Sequence, residues 1–180
     1  MREVAGRLEY LRAQYENILG WYKQSEEKAK FLVTINTLVV GVVNGLVFVG
    51  AEKIATVRRV YTVSLWVLLL LSGLALIGSY LFILRAVWAR HGGEVLKLKD
   101  HERLWFFGDI AAMSREEHQK LLDDWSEEHL EASLSAQNYI LSRNVKTKYD
   151  SLNLATSLTI VALVLLFILG VTYGLTVSNV

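Results

Sequence analysis

The hydrophobic residues of this chain fall into three long blocks separated by polar stretches. Residues 31–51, 60–84 and 151–180 contain no charged side chain and are 21, 25 and 30 residues long. A helix needs about 20 apolar residues to cross the hydrocarbon core of a bilayer. A core helix of a soluble protein shows polar residues at helical period, and these blocks do not. The pattern predicts three membrane-spanning helices.

The polar N-terminal segment has a helical pattern of its own. Its apolar residues recur at alternating spacings of four and three, a heptad seam that requires a partner helix. Acidic residues interleave with its arginines, whereas helices in the membrane interface usually have cationic polar faces. We therefore expect it to pack on a cytoplasmic helix, with an interfacial helix as the alternative. The seam residues are Val4, Leu8, Leu11, Tyr15, Ile18 and Tyr22.

The second polar stretch ends in a pattern that predicts one very long helix. Residues 114–169 contain neither glycine nor proline over 56 positions, so no residue forces a helix to stop. Ser114 and Glu117 have the spacing of a capping box at its start. Because the end of this stretch is apolar, a single helix would begin in water and end in lipid.

These patterns predict an all-α membrane protein. Its cytoplasmic helical region combines the N-terminal helix with the long loop and helix between spans two and three. The predicted segments are a cytoplasmic amphipathic helix (1–30), a transmembrane hairpin (31–88, spans at about 31–51 and 60–88), a cytoplasmic loop and long helix (89–150), and a third span with a short external tail (151–180).

The distribution of basic residues predicts the orientation. Six lie in residues 1–30 and ten in 85–150, against three in the 52–59 loop and none after Asp150. Basic loops stay in the cytoplasm, so the N-terminus and the long loop should be cytoplasmic and the C-terminus outside the inner membrane. The net charge of +1 predicts no bulk attraction to nucleic acid.

Polar residues in the first span suggest either packing or a pathway. Asn36 and Asn44 lie in it, together with Gly41 and Gly45 at the spacing that allows close helix approach. The asparagines either hold the bundle together or line a water-filled path when the bundle rearranges.

Catalytic and metal-binding patterns are missing from the sequence. The chain has no cysteine, which excludes thiolate chemistry, and none of the phosphate-loop, nucleophile-elbow or dinucleotide-binding fingerprints. His118 and His129 share a helical face but would lie about 16 Å apart, too far to share a metal ion. We expect no enzyme, no metal site and no cofactor.

The cytoplasmic part has the side chains to hold an anionic ligand. Cationic side chains pair with anions, aromatic rings stack on bases, and carboxylates or amides read base edges. The aromatic cluster at 105–107, followed by a Gly-Asp turn, is either a plug against the helices or such a ligand platform. The candidates are Arg90, Arg103 and Lys148 for charge, Trp105 and Phe107 for stacking, and Asp109 and Gln137 for base edges.

The order of these features resembles a known family. The telling parts are Phe106-Phe107-Gly108-Asp109-Ile110, then Gln137, and Lys148-Tyr149 before the last span. In this order the chain resembles the Pycsar-type transmembrane anti-phage effectors over nearly its whole length.

The resemblance implies a function. In such systems a nucleotide cyclase makes a cyclic pyrimidine mononucleotide, cCMP or cUMP, on infection, and the effector impairs the inner membrane so that the infected cell dies. It implies a cyclic-nucleotide ligand, a cyclase as functional partner and, for a chain with no nucleotide-binding barrel, a homo-oligomer. The alternative is a constitutive or partner-gated membrane scaffold or channel subunit without nucleotide sensing.

Overall fold

Every regular element in the described part of the chain is a helix. The computed structural model describes residues 2–47, 63–88, 104 and 107–178. The all-α prediction is confirmed for these residues. The helices are α1 (Arg2–Val47), α2 (Val63–Val87), α3 (Phe107–Ala112), α4 (Arg115–Asp123) and α5 (Glu127–Ser178).

Two of the described helices meet the length and hydropathy expected of a membrane span. They are Val63–Val87 and Glu127–Thr176. Trp66 and Trp88, both at least half exposed (52% and 75%), lie about 33 Å apart at 1.5 Å per residue, close to the thickness of a hydrocarbon core. The predicted first span, 31–51, extends past Val47, the last described residue of α1. Three crossings and the orientation therefore stay predictions.

Contacts divide the chain into two compact units. The first unit combines Met1–Gln24 with Ala89–Thr147, and the second combines Ser25–Trp88 with Lys148–Val180. Both α1 and α5 pass from one unit into the other without a break in the helix.

In the first unit the described positions of the predicted N-terminal seam are buried or half-buried. Leu11 and Ile18 are buried on α1, and Leu130 and Leu134 are buried on α5. Polar contacts join the same two helices at a constant sequence offset of 124, with Arg7 paired to Glu131 and Gln14 to Asn138. A constant offset means that the two helices run parallel here. The expected partner of the N-terminal helix is therefore α5.

The second unit packs α1, α2 and α5 around shared apolar layers. One layer contains Ala29, Leu32, Ile83, Ala86, Leu152 and Ala155. The other contains Ala75, Leu76 and Ala162, with Val39 and Val40 against it. Residue numbers rise along α1 and α5 from the first layer to the second but fall along α2, so α2 is antiparallel to the other two helices.

The prediction of one uninterrupted helix over 114–169 is wrong. α4 begins after Ser114, whose Oγ accepts from the Glu117 amide (3.1 Å), but it ends at Asp123. α5 then begins at Glu127, where Ser126 Oγ accepts from the His129 amide (3.3 Å). Ser126 and the two glutamates of the first turn stabilise a new helix start, because both complement the free amides there.

The predicted Gly-Asp turn is also wrong. Gly108 and Asp109 lie within α3, and the Met113 amide donates to the Ile110 carbonyl at its end (3.2 Å). One glycine costs a helix only about 1 kcal/mol, so a single glycine does not by itself end a helix.

Candidate functional site

A fully buried ring of polar side chains lies between the two apolar layers of the second unit. Each of its three helices contributes one residue: Asn36 from α1, Ser79 from α2 and Thr159 from α5. Their exposed fractions are 0%, 0% and 3%. The sequence predicted Asn36 as a polar residue of the bundle, and the structure supplies its partners.

The hydrogen bonds of the ring form a closed circuit. Asn36 Nδ2 donates to Ser79 Oγ (2.8 Å), and Thr159 Oγ1 donates to Asn36 Oδ1 (3.0 Å). Ser79 Oγ lies 2.9 Å from Thr159 Oγ1 and closes the circuit by donating to it. The Ala155 carbonyl oxygen is a second acceptor, 3.1 Å from Ser79 Oγ and 3.0 Å from Thr159 Oγ1. Every polar atom of the ring therefore has a partner without water.

The positions of these three residues follow from helical periodicity. On α5, Leu152, Ala155, Thr159 and Ala162 are buried at spacings of three and four. On α2 the same spacing relates Ala75, Leu76, Ser79 and Ile83, and on α1 it leads to Asn36. Because the faces converge, a polar residue at this level on any one helix requires polar partners on the other two.

α2 and α5 approach closely beside the ring. A Cβ added at Gly78 would lie 3.1 Å from Leu158 Cδ1, whereas Gly41, Gly45 and Gly73 have no described atom within 4 Å of that position. The close approach predicted for Gly41 and Gly45 is therefore not made by any residue that the structure describes. The structure places it at Gly78.

Two polar contacts between α1 and α5 precede the ring along both helices. Lys28 Nζ donates to Asn153 Oδ1 (2.8 Å), and Lys148 Nζ lies 3.5 Å from Glu26 Oε1. The Lys148 side chain is only 15% exposed. A nearly buried ammonium needs a carboxylate or another acceptor, so this pair ties the two helices together next to the apolar layer.

The ring has no acid–base or metal chemistry. It contains one amide and two hydroxyl groups, none of which titrates near neutral pH. No group of histidines and carboxylates suited to a metal ion occurs among the described residues. What the ring can do is hold three helices in one register, or present polar atoms to water if the helices separate.

Comparison with known proteins identifies the family. The profile described as PycTM, Pycsar effector protein domain, matches residues 10–175. The chain belongs to the PycTM family. Searches of the curated proteins and of the solved structures gave no match.

Membership of PycTM confirms the resemblance seen in the sequence and makes this chain a Pycsar anti-phage effector. PycTM is a family of membrane effectors and is not a known enzyme family. The match includes the ring, the Gly78 approach and most of both long helices. Arg7, which pairs with Glu131 in the first unit, precedes it.

The predicted ligand-binding residues fall mostly outside the described part. Arg90, Arg103 and Trp105 lie there, as do the side chains of Phe107 and Asp109 on α3. Gln137 is half-buried on α5 in the first unit, and Lys148 belongs to the second unit. Asn44 is exposed on α1 and takes no part in the ring. The structure therefore joins only Asn36, of all these candidates, to a described cluster.

Three buried polar residues of these clusters were not predicted from the sequence: Ser79, Thr159 and Asn138. Thr159 and Asn138 carry a signal, because both continue the spacings of three and four through apolar residues of α5. Ser79 carries a weaker one, since a serine among glycines and alanines also fits a helix-packing patch.

Proposed function

We propose that this PycTM effector is activated by a cyclic pyrimidine mononucleotide, cCMP or cUMP. On binding, the helix bundle changes from a sealed to a leaky state and impairs the inner membrane of the infected cell. The cell then dies before the phage completes its cycle. The N-terminus and the 89–150 segment lie in the cytoplasm, and the C-terminus lies outside.

The continuity of α5 is the observation that carries this proposal. α5 runs as one helix over 52 residues, from the first unit into the second. A helix transmits rotation or translation along its axis, because each turn is hydrogen-bonded to the next. A change around Gln137 in the first unit is therefore carried to Thr159 in the ring.

Opening the ring is the step that makes the bundle leaky. In the sealed state the three side chains satisfy one another between two apolar layers. When α5 moves relative to α1 and α2, the amide and the hydroxyl groups lose these partners and take up water instead. Polar groups that line a hydrated path lower the cost of moving ions across the hydrocarbon core.

The energy required is within reach of a homo-oligomer. Changing a two-state equilibrium from 1:99 to 99:1 needs about 5.5 kcal/mol of differential binding free energy. Two or more copies that change state together each contribute part of this sum. The ligand is held by Arg90, Arg103 and Lys148 through its phosphate, by Trp105 and Phe107 through stacking, and by Asp109 and Gln137 through its base edges.

Co-expression with a cyclase tests this function in cells. The effector is expressed with an active pyrimidine cyclase or with a catalytically dead version, and growth and uptake of a membrane-impermeant dye are recorded. We expect growth arrest and dye uptake only with the active cyclase. Equal toxicity with both cyclases, or toxicity with neither, would instead support a scaffold or channel subunit that senses no nucleotide.

The role of Lys148 has a matched control on the neighbouring helix. Lys148→Ala removes the proposed phosphate partner, and we expect it to abolish the response to the active cyclase. Glu26→Gln weakens the same contact between the helices but keeps the lysine, so it should respond. If both variants respond fully, Lys148 does not bind the nucleotide.

A further inference from the structure

The apolar seam of the first unit contains one asparagine with incomplete hydrogen bonding. Asn138 is 3% exposed, and its Nδ2 donates to the Leu11 carbonyl oxygen (2.9 Å) and to Gln14 Oε1 (3.1 Å). Its Oδ1 is buried and accepts no hydrogen bond from any described residue. A buried carbonyl oxygen without a donor has lost its hydration and gained no replacement, which destabilises the closed state.

Rotating the Asn138 amide by 180° does not give its oxygen a donor. Oδ1 would then face the Leu11 carbonyl oxygen, so that two acceptors would meet, and the donated bond would be lost. The backbone carbonyl of Leu11 therefore fixes the orientation of the Asn138 amide. It also fixes the register of the two helices, as a single polar residue does in a parallel coiled coil.

The neighbouring polar contact does little to offset the cost of the unpaired Asn138 oxygen. One heptad earlier on both helices, Arg7 Nε pairs with Glu131 Oε1 at 2.8 Å; the arginine side chain is 72% exposed and the glutamate side chain 17%. Because its cation lies in solvent, this pair is screened by water and by salt and contributes little to the pairing of the helices. In the second unit, by contrast, the buried Asn36 has partners for both ends of its amide.

We propose that Asn138 makes the pairing of α1 with α5 in the first unit a releasable latch. The two hydrogen bonds that Asn138 donates select the closed register of the helices. Its unpaired oxygen is solvated by water when the helices separate, so the closed register is only marginally favoured. The latch lowers the ligand-binding free energy that activation requires. That last step rests on the proposed function, whereas the marginal stability of the pairing does not.

Hydrogen exchange of the full-length protein in lipid nanodiscs tests the latch directly. Asn138→Leu replaces the amide with an apolar side chain of similar size, and Asn138→Met offers a more flexible one. We expect backbone amides of residues 7–22 to exchange about tenfold more slowly in both variants, which corresponds to about 1.4 kcal/mol. Asn17→Leu, at an exposed asparagine of the same unit, is the matched control and should leave the exchange unchanged.

Each outcome decides the proposal. Unchanged or faster exchange in both apolar variants would overturn it, because the amide would then stabilise the pairing. Loss of helical circular dichroism in both would overturn it as well, since the amide would be required for folding. Slower exchange together with a higher nucleotide concentration for half-maximal liposome leakage would support it. Slower exchange with unchanged leakage would overturn its role in activation and leave the proposed function standing.

Discussion

At the scale of single residues, two buried asparagines join α1 to the other helices, and their surroundings differ. Asn36 lies in a ring that satisfies both ends of its amide, and Asn138 lies in a seam that satisfies one end. Buried polar groups are stabilising only when they are paired. Asn36 therefore stabilises the closed form of the second unit. Asn138 leaves the pairing of α1 with α5 in the first unit only marginally stable.

Removing one hydroxyl from the ring should destabilise the bundle. Thr159→Val keeps the shape of the side chain but leaves Asn36 Oδ1 without its donor, which costs about 1–3 kcal/mol. Thr172→Val is the control on the same helix, because Thr172 Oγ1 donates to the Ile168 carbonyl of its own helix (2.8 Å) and to no other described helix. Thermal unfolding in detergent should show a lower midpoint for Thr159→Val alone, and equal midpoints would contradict the role of the ring.

The sequence revealed one member of the ring and not the others, for a physical reason. An asparagine in an apolar block is conspicuous, so Asn36 could be predicted as a polar residue of the bundle. Whether Ser79 faces lipid or the bundle depends on the rotation of α2 about its axis, which packing against two other helices determines. Asn138 continues the apolar spacing of Leu130 and Leu134, but it was overlooked because its stretch of α5 is rich in polar residues.

At the scale of helices, the close approach at Gly78 holds α2 against α5. A leucine there would collide with Leu158, since even a Cβ lies only 3.1 Å from its Cδ1. We expect Gly78→Leu to part the helices and to give dye release from liposomes without any nucleotide. Gly73→Leu lies on the same helix where a Cβ meets nothing within 4 Å, so it should stay sealed. Equal leakage from both would show that this contact does not seal the bundle.

The continuity of α5 can be broken between the two units. Thr147→Pro removes a backbone donor and clashes with the preceding turn, at a cost of about 3 kcal/mol, so the helix should kink or break there. We expect this variant to insert into membranes but to lose its response to the active cyclase. Glu127→Pro lies at the first position of the same helix, where proline is tolerated, and should still respond. A full response from Thr147→Pro would mean that α5 does not transmit the signal.

The helices themselves were largely predictable, and their ends were less so. Apolar blocks and a heptad pattern determine where α1, α2 and α5 pack, because burial requires those periodicities. The break before Glu127 was missed because only glycine and proline were taken to end a helix. Ser126 with two following glutamates also starts a new helix, and that signal was present in the sequence.

At the scale of the whole molecule, the orientation in the membrane is open to a direct test. The chain has no cysteine, so a single introduced cysteine reports its own side of the membrane. In intact spheroplasts, an impermeant maleimide should label Asn179→Cys but not Glu9→Cys or Glu128→Cys. Both of the latter should react once the cells are permeabilised. Labelling of Glu9→Cys or Glu128→Cys in intact spheroplasts would reverse the proposed orientation.

Dye release from liposomes tests whether a cyclic nucleotide in the cytoplasm opens this helix bundle. The purified full-length protein is reconstituted with a trapped fluorophore, and cCMP, cUMP or a cyclic purine nucleotide is added. We expect sealed liposomes without nucleotide and rapid release with cCMP or cUMP. Release that is the same with and without the pyrimidine nucleotide, or no release at all, would contradict it.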